Sequence, residues 1–310
     1  MRIAAFTLIA LSFAIPATAA EGPGAGTRKA VLVTGASTGI GREITERLAA
    51  NGHFVYAGAR KAADLEALDA IENVQGIRLD VTKPDEIEAA VATVTAGGRG
   101  LWGLVNNAGV AVTGPFADLK EEDFDFVMDV NTYGPFRVTK AFIPLIAKAN
   151  GRIVTISSIS GILSTGNLGV YSMSKHAIEA FGDSLAVQME PLGVKVSLVE
   201  PGNYNSQIGA SAEKRTGAAT GIGDRSRYKQ PDEVAEAVER ALFEPDPKRR
   251  YMVVPNQQEA EVTIRKAIQE LVQLNEGHSH TYSRDALVGM LDEALKTARP
   301  ATAPAAANGD

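Results

Sequence analysis

Tyr171 and Lys175 stand four residues apart in the segment Tyr171-Ser-Met-Ser-Lys175, and Ser158 precedes the tyrosine by thirteen residues. On a helix, a spacing of four places the phenol and the ammonium group on one face, where they can interact. A tyrosine, whose pKa is ordinarily about 10, is a poor acid or base at neutral pH, but a nearby cation stabilises its phenolate form. These residues could therefore carry proton transfer. Because Tyr-x-x-x-Lys pairs also occur on ordinary surface helices, the interpretation needs support from the rest of the chain.

A second group of residues could bind a nucleotide. The segment Thr34-Gly35-Ala36-Ser37-Thr38-Gly39-Ile40-Gly41 follows an apolar run at 30–34 and opens a stretch in which Ile40, Ile44 and Leu48 recur at helical spacing. Glycines at such a strand-to-helix turn permit a tight bend and bring backbone N–H groups against a pyrophosphate at the helix N-terminus. The position between strand and helix therefore favours dinucleotide binding over an ordinary turn.

The residues after the second apolar run indicate which dinucleotide is bound. This run ends in Gly58-Ala59-Arg60-Lys61, where an acidic residue would hold a ribose 2′-hydroxyl and an arginine would accept a 2′-phosphate. A guanidinium grips phosphate with two hydrogen bonds, and no carboxylate stands here to repel it. Arg60 therefore favours NADP over NAD.

Seven strand-length apolar runs alternate with helical periods and must position these groups. The runs are 30–34, 54–57, 76–79, 103–105, 152–156, 194–199 and 251–254. Alternation of this kind predicts an α/β fold with a doubly wound, parallel, seven-stranded sheet of the Rossmann type in a single domain. Helices are expected at 231–243, with Pro231 as the first helical residue, at 259–274 and at 284–297. In the second of these, Ile264, Ile268, Leu271 and Val272 are expected to pack on the core.

The ordered motifs together resemble the short-chain dehydrogenase/reductase family in its single-domain form, over roughly residues 29–254. The matching elements are Thr34-Gly-x-x-x-Gly-x-Gly41, Asp80-Val81, Asn106-Asn-Ala-Gly109, Asn131, Ser158, Tyr171-x-x-x-Lys175 and Pro201-Gly202. Seven elements in the right order are far more specific than any one of them.

This resemblance implies a role for each matching residue. The implied catalytic set is Asn131, Ser158, Tyr171 and Lys175. Ser158 is expected to hydrogen-bond the substrate oxygen and Tyr171 to pass the proton, while Lys175 lowers the tyrosine pKa and holds the ribose. Asn131 is expected to position a water that connects the lysine to solvent, and Asp80 to lie near the adenine. Expected cofactor contacts are Thr34, Gly35, Ser37, Thr38, Gly39, Ile40, Gly41, Arg60, Asp80, Val81, Asn107, Ala108, Gly109, Tyr171, Lys175, Pro201, Gly202 and Ser206.

Two positions depart from the family pattern. Thr38 stands where NADP-preferring relatives often carry a basic residue, which weakens the preference that Arg60 indicates. Ser206 stands where relatives often have threonine, and its hydroxyl can serve the same purpose.

The implied function is an NADP(H)-dependent oxidoreductase that interconverts a ketone or aldehyde with an alcohol, on a steroid-like, retinoid-like or general carbonyl substrate. The resemblance also implies a homodimer or homotetramer. Two alternatives stay open: a non-catalytic NADP(H)-binding sensor, and an epimerase or dehydratase of nucleotide-linked sugars. The latter class usually shows Thr-Gly-x-x-Gly-x-x-Gly spacing and a longer substrate domain, which this chain lacks.

Composition narrows the partners to small molecules. The 310 residues carry 31 Lys+Arg against 37 Asp+Glu, a net charge of −6, without a basic block that would bind nucleic acid. The absence of cysteine excludes disulfides, thiolate nucleophiles and cysteine-ligated metals. His278 and His280 have few carboxylates nearby, so no metal site is expected.

The two ends of the chain differ from the predicted domain. Arg2, the apolar run 3–15, Pro16 and the small residues 17–20 match a signal peptide, or alternatively an N-terminal membrane anchor. A genuine signal implies a periplasmic or secreted protein; otherwise the protein is cytoplasmic or membrane-anchored, and membrane contact requires that the segment be retained. A linker at 21–28, the domain at 29–298 with an irregular substrate loop at 205–230, and a disordered tail at 299–310 complete the expected organisation.

Overall fold

The computed structural model describes residues 28–216 and 225–297. The expected leader at 1–20, the linker as far as residue 27, residues 217–224 of the expected substrate loop, and the tail at 299–310 lie outside the described residues.

Seven parallel strands form one sheet, as the alternating pattern predicts. They are β1 (Ala30–Thr34), β2 (Phe54–Ala59), β3 (Val74–Arg78), β4 (Gly103–Asn106), β5 (Arg152–Ile156), β6 (Lys195–Pro201) and β7 (Arg250–Val253). Their order across the sheet is β3-β2-β1-β4-β5-β6-β7, and every neighbouring pair is parallel. The chain reverses its direction of winding between β1 and β4, which opens a crevice at the carboxyl ends of these strands. The predicted doubly wound sheet is confirmed, with strand ends that differ by at most two residues.

Ten α-helices connect and extend the strands within the described residues. They are α1 (Gly39–Ala50), α2 (Ala62–Asp69), α3 (Pro84–Ala96), α4 (Glu121–Met128), α5 (Gly134–Lys148), α6 (Gly169–Met189), α7 (Ile208–Thr216), α8 (Asp232–Phe243), α9 (Gln257–Leu274) and α10 (Arg284–Thr297). A π-helical segment, Asp129–Tyr133, joins α4 to α5. None of these helices is long and apolar enough to cross a membrane.

Alternate side chains of the central strands supply two separate cores. In β1, Val31 and Val33 pack with Leu48 of α1 on one face of the sheet. Leu32 points to the opposite face, where it joins Phe142 of α5 in the second core. Because successive side chains of a strand point to opposite faces, a strand covered on both sides must be apolar throughout. This requirement explains why the apolar runs of the sequence locate the strands so well.

The expected irregular loop at 205–230 contains helix α7 and was therefore predicted wrongly in part. Ile208 and Ala212 stand one helical turn apart, and Ala212 is buried. One turn of apolar spacing is too short to show a period in the sequence, so only packing reveals this helix. Similarly, α8 begins at Asp232, and Pro231 precedes it as the capping residue rather than serving as the first helical residue.

Helix α9 does not bury the apolar residues that its sequence pattern marks. Ile264, Ile268, Leu271 and Val272 are each about half exposed, whereas Thr263 is fully buried. The expectation that the four apolar residues pack on the core was therefore wrong. An amphipathic pattern shows that a helix has an apolar face, but it does not show what covers that face.

Candidate active site

A cleft of about 1160 Å³ lies at the carboxyl ends of the strands, where the winding reverses. It is lined by the loop between β1 and α1, by the ends of β2 to β6, and by the start of α6. With two exceptions, Thr34 and Asn131, every residue expected to contact cofactor or substrate lines this cleft. Residues from separate parts of the chain thus meet at one place.

The glycine-rich loop lets the backbone approach a bound group closely. Gly35 and Gly39 have φ angles of 65° and 56°, in the left-handed region that glycine adopts without strain. A Cβ atom on Gly41 would lie 2.3 Å from both the Asn107 side-chain nitrogen and the Gly35 carbonyl oxygen. Helix α1 then starts after Thr38, whose side chain makes no capping hydrogen bond. Free N–H groups at an uncapped helix N-terminus fit the pyrophosphate of a dinucleotide.

Thr34 lies behind this loop rather than in the cleft. It is buried, and its Oγ1 accepts hydrogen bonds from the backbone N–H groups of Asn107 and Ala108, each at 3.0 Å. The expected direct contact between Thr34 and a cofactor is therefore corrected to a positioning role. Thr34 ties the end of β1 to the loop after β4, and that loop lines the cleft.

The far end of the cleft carries both signs of charge. Arg60 is exposed, and its backbone carbonyl oxygen accepts a hydrogen bond of 2.9 Å from Arg78. Lys61 and Asp64 line the cleft beside it. The Asp80 carboxylate accepts hydrogen bonds from the N–H and hydroxyl groups of Thr82, at 3.0 and 2.8 Å. The Asp80 carboxylate is thus held by its own turn.

At the other end, the fold brings together Ser158, Tyr171 and Lys175. Ser158 is buried just after β5, where its Oγ accepts a hydrogen bond of 3.1 Å from the Ser160 N–H and donates one of 3.4 Å to the Pro201 carbonyl oxygen. Tyr171 and Lys175 lie on α6, and the Lys175 ammonium is 5.6 Å from the centre of the Tyr171 ring. The arrangement places a hydroxyl, a phenol and an amine around one point of the cleft.

Asn131 lies in the π-helical segment, is buried, and does not line the cleft. Its side-chain nitrogen donates to the Val110 carbonyl oxygen at 2.8 Å and to the Ser174 hydroxyl at 3.0 Å, while its oxygen accepts from the Val110 N–H at 2.8 Å. The amide thus ties the loop after β4 to helix α6. Because α6 carries Lys175, Asn131 fixes the lysine from behind; its expected part in holding a water stays a prediction.

The electrostatics of Tyr171 involve a residue that the sequence motifs do not contain. Burial raises the pKa of Tyr171, whereas the neighbouring Ser158 hydroxyl and the positive charge of Arg225 lower it. Burial lowers the pKa of Lys175 to about 8, and the charge of Glu179 opposes that decrease. Lys175 was the expected source of the charge that lowers the tyrosine pKa. That role of Lys175 stays a prediction. Arg225 is a second positive charge, which lowers the pKa of the phenol, and Lys175 donates a hydrogen bond to the Ile156 carbonyl oxygen at 2.9 Å.

Comparison with known proteins agrees with this geometry. The family model described as short chain dehydrogenase matches residues 29–217. The chain belongs to the short-chain dehydrogenase family. The matched part contains the glycine-rich loop, all four expected catalytic residues and Ser206.

Two dehydrogenases are among the similar proteins of this family. The chain is 41% identical over 186 residues to the mitochondrial D-beta-hydroxybutyrate dehydrogenase of Rattus norvegicus, covering 57% of this chain and 54% of the relative. It is 40% identical over 184 residues to retinol dehydrogenase 7 of Mus musculus, covering 58% of each. The chain thus spans little more than half the length of these relatives.

Solved structures of the family cover more of the chain. A short-chain dehydrogenase from Streptomyces avermitilis is 28% identical, with a TM-score of 0.70, and covers 81% of this chain and 96% of its own. An alcohol dehydrogenase from Thermococcus sibiricus, complexed with 5-hydroxy-NADP, is 27% identical, with a TM-score of 0.65 and coverage of 73% and 96%.

Several residues of the cleft in this short-chain dehydrogenase were not identified from the sequence. Leu163, Lys214, Arg225 and Tyr228 also line the cleft. Lys214, Arg225 and Tyr228 belong to the segment at 205–230, where no period or motif marks one charged or apolar residue above its neighbours. Only the folded chain shows which of them face the cleft.

A buried carboxyl pair lies behind the reactive end. Arg250 contacts Glu179 at 3.0 Å, Glu200 at 3.2 Å and Asp183 at 2.8 Å. Burial and the charge of Glu179 raise the pKa of Glu200 to about 7, against the opposing effect of Arg250. Glu200 directly precedes Pro201, whose carbonyl oxygen accepts the hydrogen bond from Ser158.

Proposed function

We propose that this chain is an NADP(H)-dependent oxidoreductase that interconverts an alcohol with a ketone or aldehyde. The observation that carries the proposal is the meeting of Ser158, Tyr171 and Lys175 in the same cleft as the uncapped N-terminus of α1. Family membership supports the reaction class. The relatives are longer than the matched segment, so the activity is proposed from the site rather than transferred from them.

The protein's own groups handle the proton in this proposal. Reduction of a carbonyl builds negative charge on its oxygen, which a positioned hydroxyl donor stabilises. Ser158 donates to that oxygen, and Tyr171 passes the proton to it, or removes it in the oxidative direction. The positive charges of Lys175 and Arg225 favour the phenolate that remains. Asn131 keeps α6 and its lysine in place. A dinucleotide held by the glycine-rich loop and Lys175 would supply or accept the hydride through its nicotinamide.

The proposed preference for NADP over NAD rests on the charge at the far end of the cleft. Arg60 and Lys61 both line this end, and a 2′-phosphate there would gain charge-assisted hydrogen bonds. The Thermococcus sibiricus structure with 5-hydroxy-NADP supports a dinucleotide of this class. Asp64 and Thr38 weaken the preference, because one adds negative charge and the other supplies no positive charge.

The proposed substrates are small carbonyl compounds or alcohols. The names of the two relatives, hydroxybutyrate and retinol dehydrogenase, offer one substrate that is a carboxylate and one that is uncharged. Steroid-like, retinoid-like and general carbonyl compounds all remain within the proposal. A homodimer or homotetramer is proposed for the assembly, and sedimentation of the purified chain tests it.

The segment at 1–20 resembles a signal peptide, and we therefore propose that the protein is exported and is periplasmic or secreted. Cell fractionation together with N-terminal sequencing of the mature protein tests this. A cytoplasmic protein that still begins at Met1 contradicts export, and a membrane-bound protein with that N-terminus supports the anchor instead.

The function is tested by cofactor titration followed by turnover. Fluorescence titration should show that the protein binds NADPH more tightly than NADH. With NADPH, the protein should then reduce members of a panel of ketones and aldehydes. Tyr171→Phe should bind NADPH within about twofold of wild type and lose about 10²- to 10⁴-fold in kcat/KM. Tyr282→Phe, at an exposed tyrosine outside the cleft, is the matched control and should retain full turnover.

Two outcomes favour the alternatives. NADPH binding without turnover of any carbonyl compound by the wild type points to the sensor function. Conversion of a nucleotide-linked sugar without net change in NADPH absorbance points to the epimerase class.

A further inference from the structure

The end of the cleft beside Tyr171 and Ser158, which we call the substrate end, has an excess of positive charge. Its lining includes Leu163, Leu168, Ile208, Lys214, Arg225 and Tyr228. The acidic residues that line the cleft within the described chain are Asp64 and Asp80, and both belong to the segments that follow β2 and β3 at the opposite end. Lys214 and Arg225 line the cleft, and no described lining residue from Asn107 onward carries a carboxylate.

Arg225 is held in place by neutral partners. Its Nε donates to the Tyr204 carbonyl oxygen at 3.2 Å, and its Nη2 donates to the Asn203 side-chain oxygen at 2.6 Å. The guanidinium carbon lies 5.1 Å from the centre of the Tyr228 ring. Because the guanidinium is planar, these two hydrogen bonds on one edge fix its orientation before a ligand binds.

Among the described residues, the half-buried Arg225 guanidinium has no direct ion pair. No carboxylate of residues 28–216 or 225–297 lies within ion-pair distance of the guanidinium. Glu259 acts on Arg225 only from farther away, because its carboxylate accepts hydrogen bonds from the Asn203 N–H at 2.8 Å and the Asn256 side chain at 3.1 Å. Partial burial of a cation costs free energy, and an anionic ligand at the guanidinium would offset that cost.

The position of Arg225 relative to Tyr171 indicates where such an anion sits. Arg225 and Tyr171 both line the cleft, and the positive charge of Arg225 lowers the pKa of Tyr171. Leu163, Leu168 and Ile208 supply apolar surface in the same part of the cleft. An anion bound at Arg225 therefore lies near the carbonyl that Tyr171 serves, and an apolar chain can follow the leucine and isoleucine side chains.

We propose that Arg225 binds a carboxylate of the substrate, and that the substrate class is an oxo or hydroxy acid with a short apolar chain. This assignment rests on the proposed oxidoreductase function. It selects the carboxylates among the small carbonyl compounds and alcohols that are proposed as substrates. The carboxylate undergoes no chemical change, and Arg225 acts by charge and by hydrogen bonds from its fixed guanidinium. The same guanidinium chemistry would also suit a cofactor pyrophosphate, so the experiment must separate the two anions.

Turnover of matched acids and esters tests this proposal. The probes are 3-oxobutanoate and 3-oxohexanoate, each beside its methyl ester, with the full chain and saturating NADPH. The wild type should show at least tenfold higher kcat/KM for each acid, mainly through a lower KM. Arg225→Gln should lower kcat/KM for the acids at least tenfold more than for the esters, because the loss of its charge beside Tyr171 falls on both probes alike, and Arg225→Lys should recover part of the difference between acid and ester. Arg227→Gln, at an exposed arginine two residues away that does not line the cleft, should behave as wild type.

Calorimetric binding of non-reacting ligands gives a readout that does not depend on turnover. Hexanoate should bind the NADP-loaded protein at least tenfold more tightly than hexanamide, and Arg225→Gln should abolish the difference. Equal binding of the two ligands by wild type, or failure of hexanoate to bind, overturns the proposal. A tenfold loss of NADPH affinity in Arg225→Gln, with hexanoate binding unchanged, assigns the guanidinium to the cofactor and also overturns it.

The two proposals fail in different ways. Reduction of the esters without preference for the acids leaves the oxidoreductase function standing and removes the role of Arg225. Hexanoate binding that depends on Arg225, without turnover of any probe, leaves the anion site standing and removes the oxidoreductase function.

Discussion

The Lys175 ammonium group donates a hydrogen bond to the backbone carbonyl oxygen of Ile156, 2.9 Å away, at the last residue of β5. This bond ties α6, which carries Tyr171, to the strand end that leads into Ser158. The lysine is buried, and burial lowers its pKa to about 8. Lys175 thus ties α6 to the end of β5 and also brings a positive charge to the site.

Replacement of Lys175 tests this double role. Lys175→Met should reduce kcat/KM by about 10²-fold or more, because both the positive charge beside the phenol and the anchor on Ile156 are lost. Lys140→Met on α5, at an exposed lysine outside the cleft, is the control and should retain activity. Wild-type kcat/KM in Lys175→Met would contradict a role for the lysine in proton transfer.

Stability should depend on pH through Glu200. Its folded-state pKa is raised to about 7 by burial and by Glu179, so the folded state keeps a proton that the unfolded chain releases near pH 4.5. The wild type therefore loses stability as pH rises from about 4.5 to 7. Glu200→Gln, which has no proton to lose, should gain on the order of 2 kcal/mol relative to wild type over that range.

Urea denaturation at several pH values measures this difference. Glu88→Gln, at an exposed glutamate of α3, is the control and should follow the wild type across the range. A difference between Glu200→Gln and wild type that stays flat, or falls as pH rises, would contradict the raised pKa. Asp183, Glu179 and Arg250 surround Glu200, so the same measurement on Glu179→Gln shows whether the two carboxyl groups share the effect.

The glycine-rich loop should not accept a side chain at position 41. A Cβ there would lie 2.3 Å from the Gly35 carbonyl oxygen, so the backbone of the loop must shift. Gly41→Ala should cost about 1–3 kcal/mol of unfolding free energy and should weaken NADPH binding. Gly289→Ala on the exposed face of α10, where a Cβ meets nothing within 4 Å, should be neutral or stabilising by about 0.5–1 kcal/mol. Thermal unfolding and NADPH titration of both variants check this.

Arg60 should determine the choice between the two dinucleotides. Arg60→Ala should weaken NADPH binding about tenfold, equivalent to about 1.4 kcal/mol, because a charge-assisted contact with the 2′-phosphate is lost. NADH binding should change little, since NADH carries no such phosphate. Arg265→Ala, at an exposed arginine of α9, is the matched control. Equal loss for both dinucleotides would remove the basis for the NADP preference.

The apolar pattern and the motif spacing were sufficient to predict the sheet and many of the residues that line the cleft. Strand β1 was located from one apolar run because both of its faces are buried, so four of its five residues are apolar. The glycine loop was recognised because its shape requires left-handed backbone at Gly35 and Gly39 and close packing at Gly41, within a few consecutive residues. Helix α7 could not be recognised in the same way, because its one buried apolar turn leaves no period.

The sequence by itself determined the Rossmann-type sheet, the nucleotide loop and the pairing of Tyr171 with Lys175, because each depends on residues close together in the chain. Only the tertiary structure decided that Thr34 and Asn131 lie behind the cleft, that the apolar face of α9 is exposed, and that Arg225 lines the same cleft as Tyr171 and lowers its pKa. Arg225 and Tyr171 are 54 residues apart, and no local pattern connects them. Such a relationship arises from packing, because burial and electrostatic contact depend on which distant segments meet when the chain folds.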